Sequence, residues 1–303
     1  MYGPAGGRLI MTAIDMRGWL QARRARRPAL SVVMPTLNEA DNLAVVLPEL
    51  QEVLDSIPGE HEVILVDGGS EDGTIEAAQT HMPDVEVVEQ TRTGKGNALA
   101  AGFEQAEGDI VVMFDADGSA DPAEIPRFVE VLLDGADFAK GSRFADGGGS
   151  DDITPVRRAG NAFLNGVANT AFGTEFSDLC YGYNAFWTDM LPVLDLPDSD
   201  EEPPEDGSMV WGDGFEIETV INCRMAAADA DIVEVPSVER DRIHGDSNLR
   251  TFRDGFRVLR TIVVEWLKRD SAVRRPSSQA SRHRGQPRAA LGPRSHRRTA
   301  RNA

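Results

Sequence analysis

The chain has 303 residues, 41% of them hydrophobic and 27% charged, and a formal net charge of −19. That composition supports a sizeable folded core and is too apolar for a globally disordered chain, while the net negative charge argues against general nucleic-acid binding. Only two cysteines are present, Cys180 and Cys223, and the five histidines form no H-E-x-x-H pattern, which leaves neither a zinc spacing nor a disulfide framework and points to a reducing cytoplasm. No apolar run approaches the roughly 18 residues of a membrane span.

Residues 1–27 lack a signal-peptide core and read as a flexible extension. From Leu30 the pattern alternates strand and helix. LSVVMP (30–35) is an apolar strand, and Asn38 and Asp41 start the helix that follows. HEVILVD (61–67) is a second strand, with GGSEDGT (68–74) as turn chemistry into a second helix, and VEVVEQ (85–90) is a third strand. GKGNALAAGFEQA (94–106) opens on glycines and becomes helical. DIVVMFDAD (109–117) is the fourth strand, DPAEIPRFVEVLL (121–133) a helix with proline in its first turn, and DFAKGSR (137–143) the fifth strand. Repeated βα units with short loops predict an α/β fold: a mainly parallel twisted sheet with helices on both faces.

Beyond about residue 150 the rhythm loosens. GGGSDD (147–152) reads as a flexible loop, PVRRAGNAFLNGVANTAFG (155–173) as a helix, and CYGYNAFW (180–187) as a strand. DSDEEPPEDGS (198–208) reads as a solvated loop or lid, GFEIETVINCRMAAA (214–228) as a helix and DIVEVPSV (231–238) as a last strand. Cys180 and Cys223 fit a core, and Phe186 and Trp187 fit either a core or the border of an acceptor site. Over 249–269, Phe252, Phe256, Leu259, Val263 and Trp266 recur at helical spacing among arginines, which makes a basic amphipathic helix. It can lie on an anionic membrane or pack its apolar face against the domain. Residues 270–303 read as a disordered tail, and 271–303 hold nine arginines and no Asp or Glu.

The chemistry concentrates at the end of the fourth strand. Asp115 and Asp117 flank Ala116 where the apolar run leaves the sheet, and the carboxyl edge of such a sheet is where ligands bind. Two carboxylates there can share a hard divalent cation with substrate phosphates. Alone, D-x-D is a common turn.

VVMPTLNEADNL (32–43), LVDGGSEDGT (65–74), GKGNALAAGF (94–103), DADGS (115–119) and GSR (141–143) follow one another at successive strand ends. This set resembles the inverting glycosyltransferase family 2, of the GT-A fold, and within it the polyprenyl-phosphate (dolichol-phosphate) mannosyl- and glucosyltransferases. The resemblance spans roughly 30–260 and implies a GT-A domain over 28–248. It implies a hexose transferred from GDP-mannose or UDP-glucose, with Mg²⁺ or Mn²⁺, to a polyprenyl phosphate at the cytoplasmic membrane face, with peripheral membrane contact. It places Pro35, Leu37 and Glu39 along the nucleotide pocket, Asp67 on the base, and Asp115, Ala116 and Asp117 at the donor diphosphate, with Asp117 on the metal. Arg143 would contact the donor, Arg157 the acceptor phosphate, and Arg242 a diphosphate or acceptor phosphate. Four positions depart from the family's pattern: Leu37 stands where an aromatic is common, Ser119 where a glutamine can help bind metal, and Glu216 and Asn248 where lysines can occur.

Three points stay open. Lys95 is either a helix-opening turn residue or a shaper of the acceptor side of the cleft. Asp213 and Glu216 are either carboxylates favoured by a helix N-terminus or the general base that a hydroxyl acceptor needs, so the alternative reading is a family 2 enzyme with a soluble hydroxyl acceptor. Outside glycosyl transfer, a nucleotidyltransferase or a non-catalytic sugar-nucleotide-binding protein shares the fold-level pattern.

Overall fold

The computed structural model describes residues 28–151, 153–206, 208–245 and 251–272. The expected extension at 1–27, Asn248 and the tail beyond 272 lie outside the described residues. β1 (Leu30–Thr36), β2 (His61–Asp67), β3 (Glu86–Glu89), β4 (Ile110–Met113) and β5 (Phe138–Ser142) fall where the apolar runs predict strands. Between them lie α1 (Ala40–Ser56), α2 (Thr74–His81), α3 (Lys95–Gln105) and α4 (Ile125–Leu133). The second half adds β6 (Gly149–Ser150), α5 (Pro155–Phe172), β7 (Asn184–Trp187), α6 (Leu191–Leu194), α7 (Ile217–Ala227), β8 (Ile232–Pro236), β9 (Val238–Glu239) and α8 (Thr251–Ala272).

Seven strands form one sheet in the order β3-β2-β1-β4-β7-β5-β8, and only β7 runs antiparallel to its neighbours. The apolar runs have a structural cause. Successive residues of β1 and β4 point to opposite faces, and both faces are covered. Val32, Met34, Ile110 and Val112 enter the core under α1 and α4. Val33, Val111 and Met113 enter the core with Leu99, Phe103 and Ile221. A third cluster joins α5, α7 and α8 through Leu164, Ala168, Cys223 and Ile262.

Two expectations change. The 147–152 loop contains β6, which pairs with β9. The strand expected over 180–187 is confined to Asn184–Trp187, where Phe186 and Trp187 are core residues rather than an acceptor border. Cys223 is buried and Cys180 half-buried, both unpaired.

Candidate active site

β2, β1 and β4 are neighbours, and the register Thr36↔Asp67 brings the ends of β1 and β2 level. The loops that follow are knitted together. Asn38 sits at φ 57°; its amide donates to Ser70 Oγ at 2.8 Å, and its Oδ1 accepts from the Glu71 amide at 2.9 Å. The Glu39 amide donates to Thr74 Oγ1 at 2.9 Å. This framework holds Pro35, Leu37, Glu39 and Asp67 on one side of the cleft. Leu37 is 54% exposed. Asp67 is buried, and its Oδ2 accepts from the amides of Gly69 and Ser70 at 2.9 Å. Its Oδ1 is buried with no hydrogen-bond partner. Buried polar atoms are almost always satisfied, so this acceptor fits the ring N–H of a bound base.

Past Met113 the chain leaves the sheet, and Asp115 and Asp117 are half-buried in the loop around Ala116, which is itself buried. Each aspartate meets a cation. Lys95 Nζ lies 2.7 Å from Asp115 and 2.7 Å from Glu218 of α7, so it spans the cleft. Burial works against the charged lysine, but Asp115 and Glu218 outweigh it and hold Lys95 above the usual range. Asp115 is pushed above the usual carboxylate range by burial; Lys95 opposes this, and the nearby Asp117 and Glu218 add to it. Asp115 and Glu218 share the one ammonium of Lys95, which leaves that pair of carboxylates one negative charge in excess.

Asp117 Oδ1 accepts from the Ser119 amide at 3.0 Å and from Ser119 Oγ at 2.6 Å. Its Oδ2 lies 2.9 Å from Arg242 Nη2, while Arg242 Nη1 lies 3.0 Å from Glu39. Burial pushes Glu39 up, against the opposing pull of Asn42 and Arg242. The Arg242 segment is pinned from both sides. The Arg240 amide donates to Ser119 O at 2.9 Å and the Ile243 amide to Asp117 O at 3.2 Å. Asn42 accepts from the His244 amide at 2.9 Å and donates to its carbonyl at 3.2 Å. Gly118, at φ 78°, leaves no room for a Cβ beside the Ile243 side chain. The aspartates after β4, Glu39 after β1 and Arg242 after β9 therefore meet at one place, although Arg242 is 203 residues from Glu39.

Two of the expected site residues are engaged within the protein itself. Arg143 was expected at the donor, but its Nε and Nη2 bond Asp178 at 2.6 and 2.9 Å and its Nη1 bonds Glu239 at 3.0 Å. No guanidinium nitrogen is left without a carboxylate. Burial opposes its charge, and Asp178 and Glu239 overcome that to hold it above the usual range. Asp213 was expected as a base or a helix-end carboxylate. Both its oxygens are bonded by Arg92, at 2.7 and 2.9 Å, and both side chains are 3% exposed. Asp213 is thus held in a buried bidentate pair.

Glu216 precedes α7, with the Gly212 and Gly214 amides at 3.3 and 3.4 Å and Arg257 Nε at 4.0 Å. Arg157 lies in the first turn of α5, where Thr154 caps the helix by accepting from the Arg157 amide. Lys95 opens α3, as its first reading has it, and its ammonium pairs with Asp115 and Glu218. Arg92, Asp178 and Glu218 belong to no motif, and sequence reasoning missed them. Among the described residues no cluster of three His, Cys, Asp or Glu has metal-ligating geometry. Magnesium needs only one or two carboxylates when substrate phosphates complete its shell, so the Asp115–Asp117 loop still fits.

A mainly parallel sheet with paired aspartates, an unpartnered Asp67 oxygen and an arginine at its carboxyl edge fits a glycosyltransferase. The chain belongs to glycosyl transferase family 2, whose model matches residues 31–191, and it is a glycosyltransferase. It is 31% identical over 229 residues to glycosyltransferase AglJ of Haloferax volcanii, covering 75% of this chain and 68% of that one. It is 32% identical over 224 residues to undecaprenyl-phosphate mannosyltransferase of Micrococcus luteus, covering 72% and 86%. The fold matches glucosyl-3-phosphoglycerate synthase of Mycobacterium tuberculosis with a TM-score of 0.58, 23% identity, and coverage of 87% and 85%. That synthase is also known in complex with Mn²⁺, UDP-glucose and phosphoglyceric acid. The fold is therefore the expected GT-A fold, and family membership sets aside the nucleotidyltransferase and binding-protein alternatives. No helix among the described residues is long and apolar enough to cross a membrane.

Proposed function

We propose that this enzyme transfers a hexose, with inversion, from a nucleoside-diphosphate sugar, GDP-mannose or UDP-glucose, to a polyprenyl phosphate at the cytoplasmic face of a membrane. The observation that carries the acceptor class is the 32% identity to an undecaprenyl-phosphate mannosyltransferase across 86% of that relative. Asp67 Oδ1 accepts a ring N–H of the base; uracil and guanine both offer one. Asp117, with Asp115 beside it, would hold Mg²⁺ or Mn²⁺, which when bound neutralises charge developing on the leaving diphosphate. Arg242 exchanges carboxylate partners for phosphate oxygens, which its planar fork fits equally well. Arg157 receives the acceptor phosphate at the start of α5, where the helix dipole favours an anion.

The absence of a free base at Asp213 supports a phosphate acceptor. A phosphate monoester has a second pKa of about 6 and is already ionised near neutral pH, so it attacks without a proton acceptor. Glu216 then shapes the acceptor side rather than accepting a proton.

The test is incubation with radiolabelled nucleotide sugars, Mg²⁺ or Mn²⁺, and a membrane lipid extract. Label is expected in the organic phase, released by mild acid and abolished by chelation. Label confined to water-soluble products would overturn the lipid acceptor in favour of a soluble hydroxyl acceptor.

A further inference from the structure

We propose that the outward face of α8 is a docking surface for an anionic lipid bilayer, placed so that a membrane-held acceptor arrives at the rim of the active site. The inference rests on the lipid-acceptor reading for its purpose and on the helix itself for its geometry.

The helix has two apolar faces, and the fold uses one. Val258, Leu259 and Ile262 pack into the cluster with Leu164, Ala168 and Cys223. The polar residues on that side are satisfied as well: Glu265, 5% exposed, accepts from Trp211 Nε1 at 2.7 Å and from Arg224 Nε at 2.9 Å. The other face stays in the open. Phe256, Val263 and Leu267, at helical spacing on one line, are 70%, 45% and 63% exposed, with Trp266 on the flank at 40%. A helix whose only task is to cover its domain carries polar residues there. The apolar face that the sequence pattern picks out is thus largely the outward one; of its described members only Leu259 turns inward.

The charge on this face selects the occupant. Arg260 lies among the exposed apolar residues and Lys268 beside them, both exposed, with their charged ends 4.8 and 5.1 Å from the Trp211 ring. The sequence that follows, 271–303, carries nine arginines and no acidic residue, in a chain of net charge −19. By sequence, the C-terminal part of the chain is therefore cationic in an otherwise acidic protein. Exposed aromatic and aliphatic side chains among Lys and Arg match an anionic bilayer surface. Two copies meeting symmetrically through this face would bring Arg260 and Lys268 against their equivalents.

Orientation links the face to the chemistry. Arg257 pairs with Glu216 at the start of α7, and Glu265 pairs with Arg224 near its end, so α8 runs beside α7 in the same direction. The exposed line begins at Phe256, one residue from the contact with Glu216. Phe215, beside Glu216 in the chain, is 46% exposed.

The full chain should float with vesicles of phosphatidylcholine and phosphatidylglycerol at least about tenfold more strongly than with phosphatidylcholine alone, and added salt should reduce the difference. The double variant F256S/L267S should lose about tenfold or more of that binding, with donor hydrolysis in solution and thermal midpoint unchanged. R260E/K268E should remove much of the preference for anionic vesicles. The proposal is overturned if F256S/L267S floats like the wild type, if the wild type does not float, or if the wild type sediments as a dimer that F256S/L267S dissociates. Detergent-dispersed polyprenyl phosphate separates the two claims. A wild type that floats yet never labels this lipid refutes the acceptor and keeps the surface; a chain that labels it in detergent but ignores vesicles does the reverse.

Discussion

Arg92–Asp213 and Arg242–Asp117 are the same chemical pair in two settings. In the first, both side chains are 3% exposed, and Arg92 also donates to the carbonyls of Asp198, Ser199 and Glu201. In the second, the side chains are 28% and 15% exposed, and the arginine divides itself between two carboxylates. A sealed pair is held by the desolvation cost of opening it, so it fixes geometry and can do little else. A pair with access to water can trade one partner for another of like charge. Sealed pairs hold the acidic 198–201 segment and the Asp178 region in place, and the more exposed pair lies at the loop after β4. Residue type alone does not separate them; exposure does.

The comparison can be broken by substitution. D117N should cost on the order of a thousandfold in turnover with the thermal midpoint held within a few degrees, read by nucleoside-diphosphate release and calorimetry. A large loss of stability instead would mean that Asp117 belongs with the sealed pairs. D213N should do the opposite. It leaves the Arg92 charge buried without its partner and should cost about 3–5 kcal/mol of folding stability, read as a lowered urea midpoint; unchanged stability with lost turnover would restore a catalytic role. Lys140 sharpens the same point. It is buried in β5, donates to the carbonyls of Gly141 and Tyr181, and burial lowers its pKa from 10.5 to about 8. Across that interval the unfolded chain keeps a proton that the folded one has released. The wild type should therefore gain stability relative to K140M as pH rises from about 8 to 10.5, by on the order of 3 kcal/mol. Denaturant midpoints at the two ends of that range check it. R242Q should give the smallest effect, about 10- to 100-fold in kcat/KM for the donor with stability little changed, because a bond that is meant to exchange contributes little to the resting fold.

The fold was legible wherever two-sided burial writes a continuous apolar run. β1, β2, β4 and β5 all lie where such runs predict them, and glycines mark the starts of α2 and α3, but Asn38 does not cap α1: its Oδ1 accepts from the Glu71 amide instead. β6 and β9, two residues each, are too short to leave a pattern. The direction of β7 is not encoded in its hydrophobicity, which is the same for a parallel and an antiparallel strand buried on both faces. At the site, Asp115 and Asp117 stood out because strand ends are where loops converge, whereas Asp67 and Arg242 were proposed only through the family resemblance. Arg92 was not legible, because its partner lies 121 residues away and no spacing announces it. Arg143 and Asp213 were visible as charges, but what they bind is a property of the packed molecule. The outward face of α8 shows the same limit: the helical period identifies an apolar stripe, and only the packed structure says which side it faces.

The antiparallel β7 carries a consequence for how the molecule is made. It sits between β4 and β5, yet it follows them in the chain, separated from β4 by β5, β6 and α5. Until residues 184–187 emerge, the nascent protein holds one sheet fragment ending at β4 and a β5 with no neighbour from that fragment, each presenting unpaired backbone edges. Synthesis thus passes through an interval in which the half bearing Asp115 and Asp117 exists without a closed sheet beside it. Ribosome stalling there should favour aggregation, and release just beyond Trp187 should relieve it.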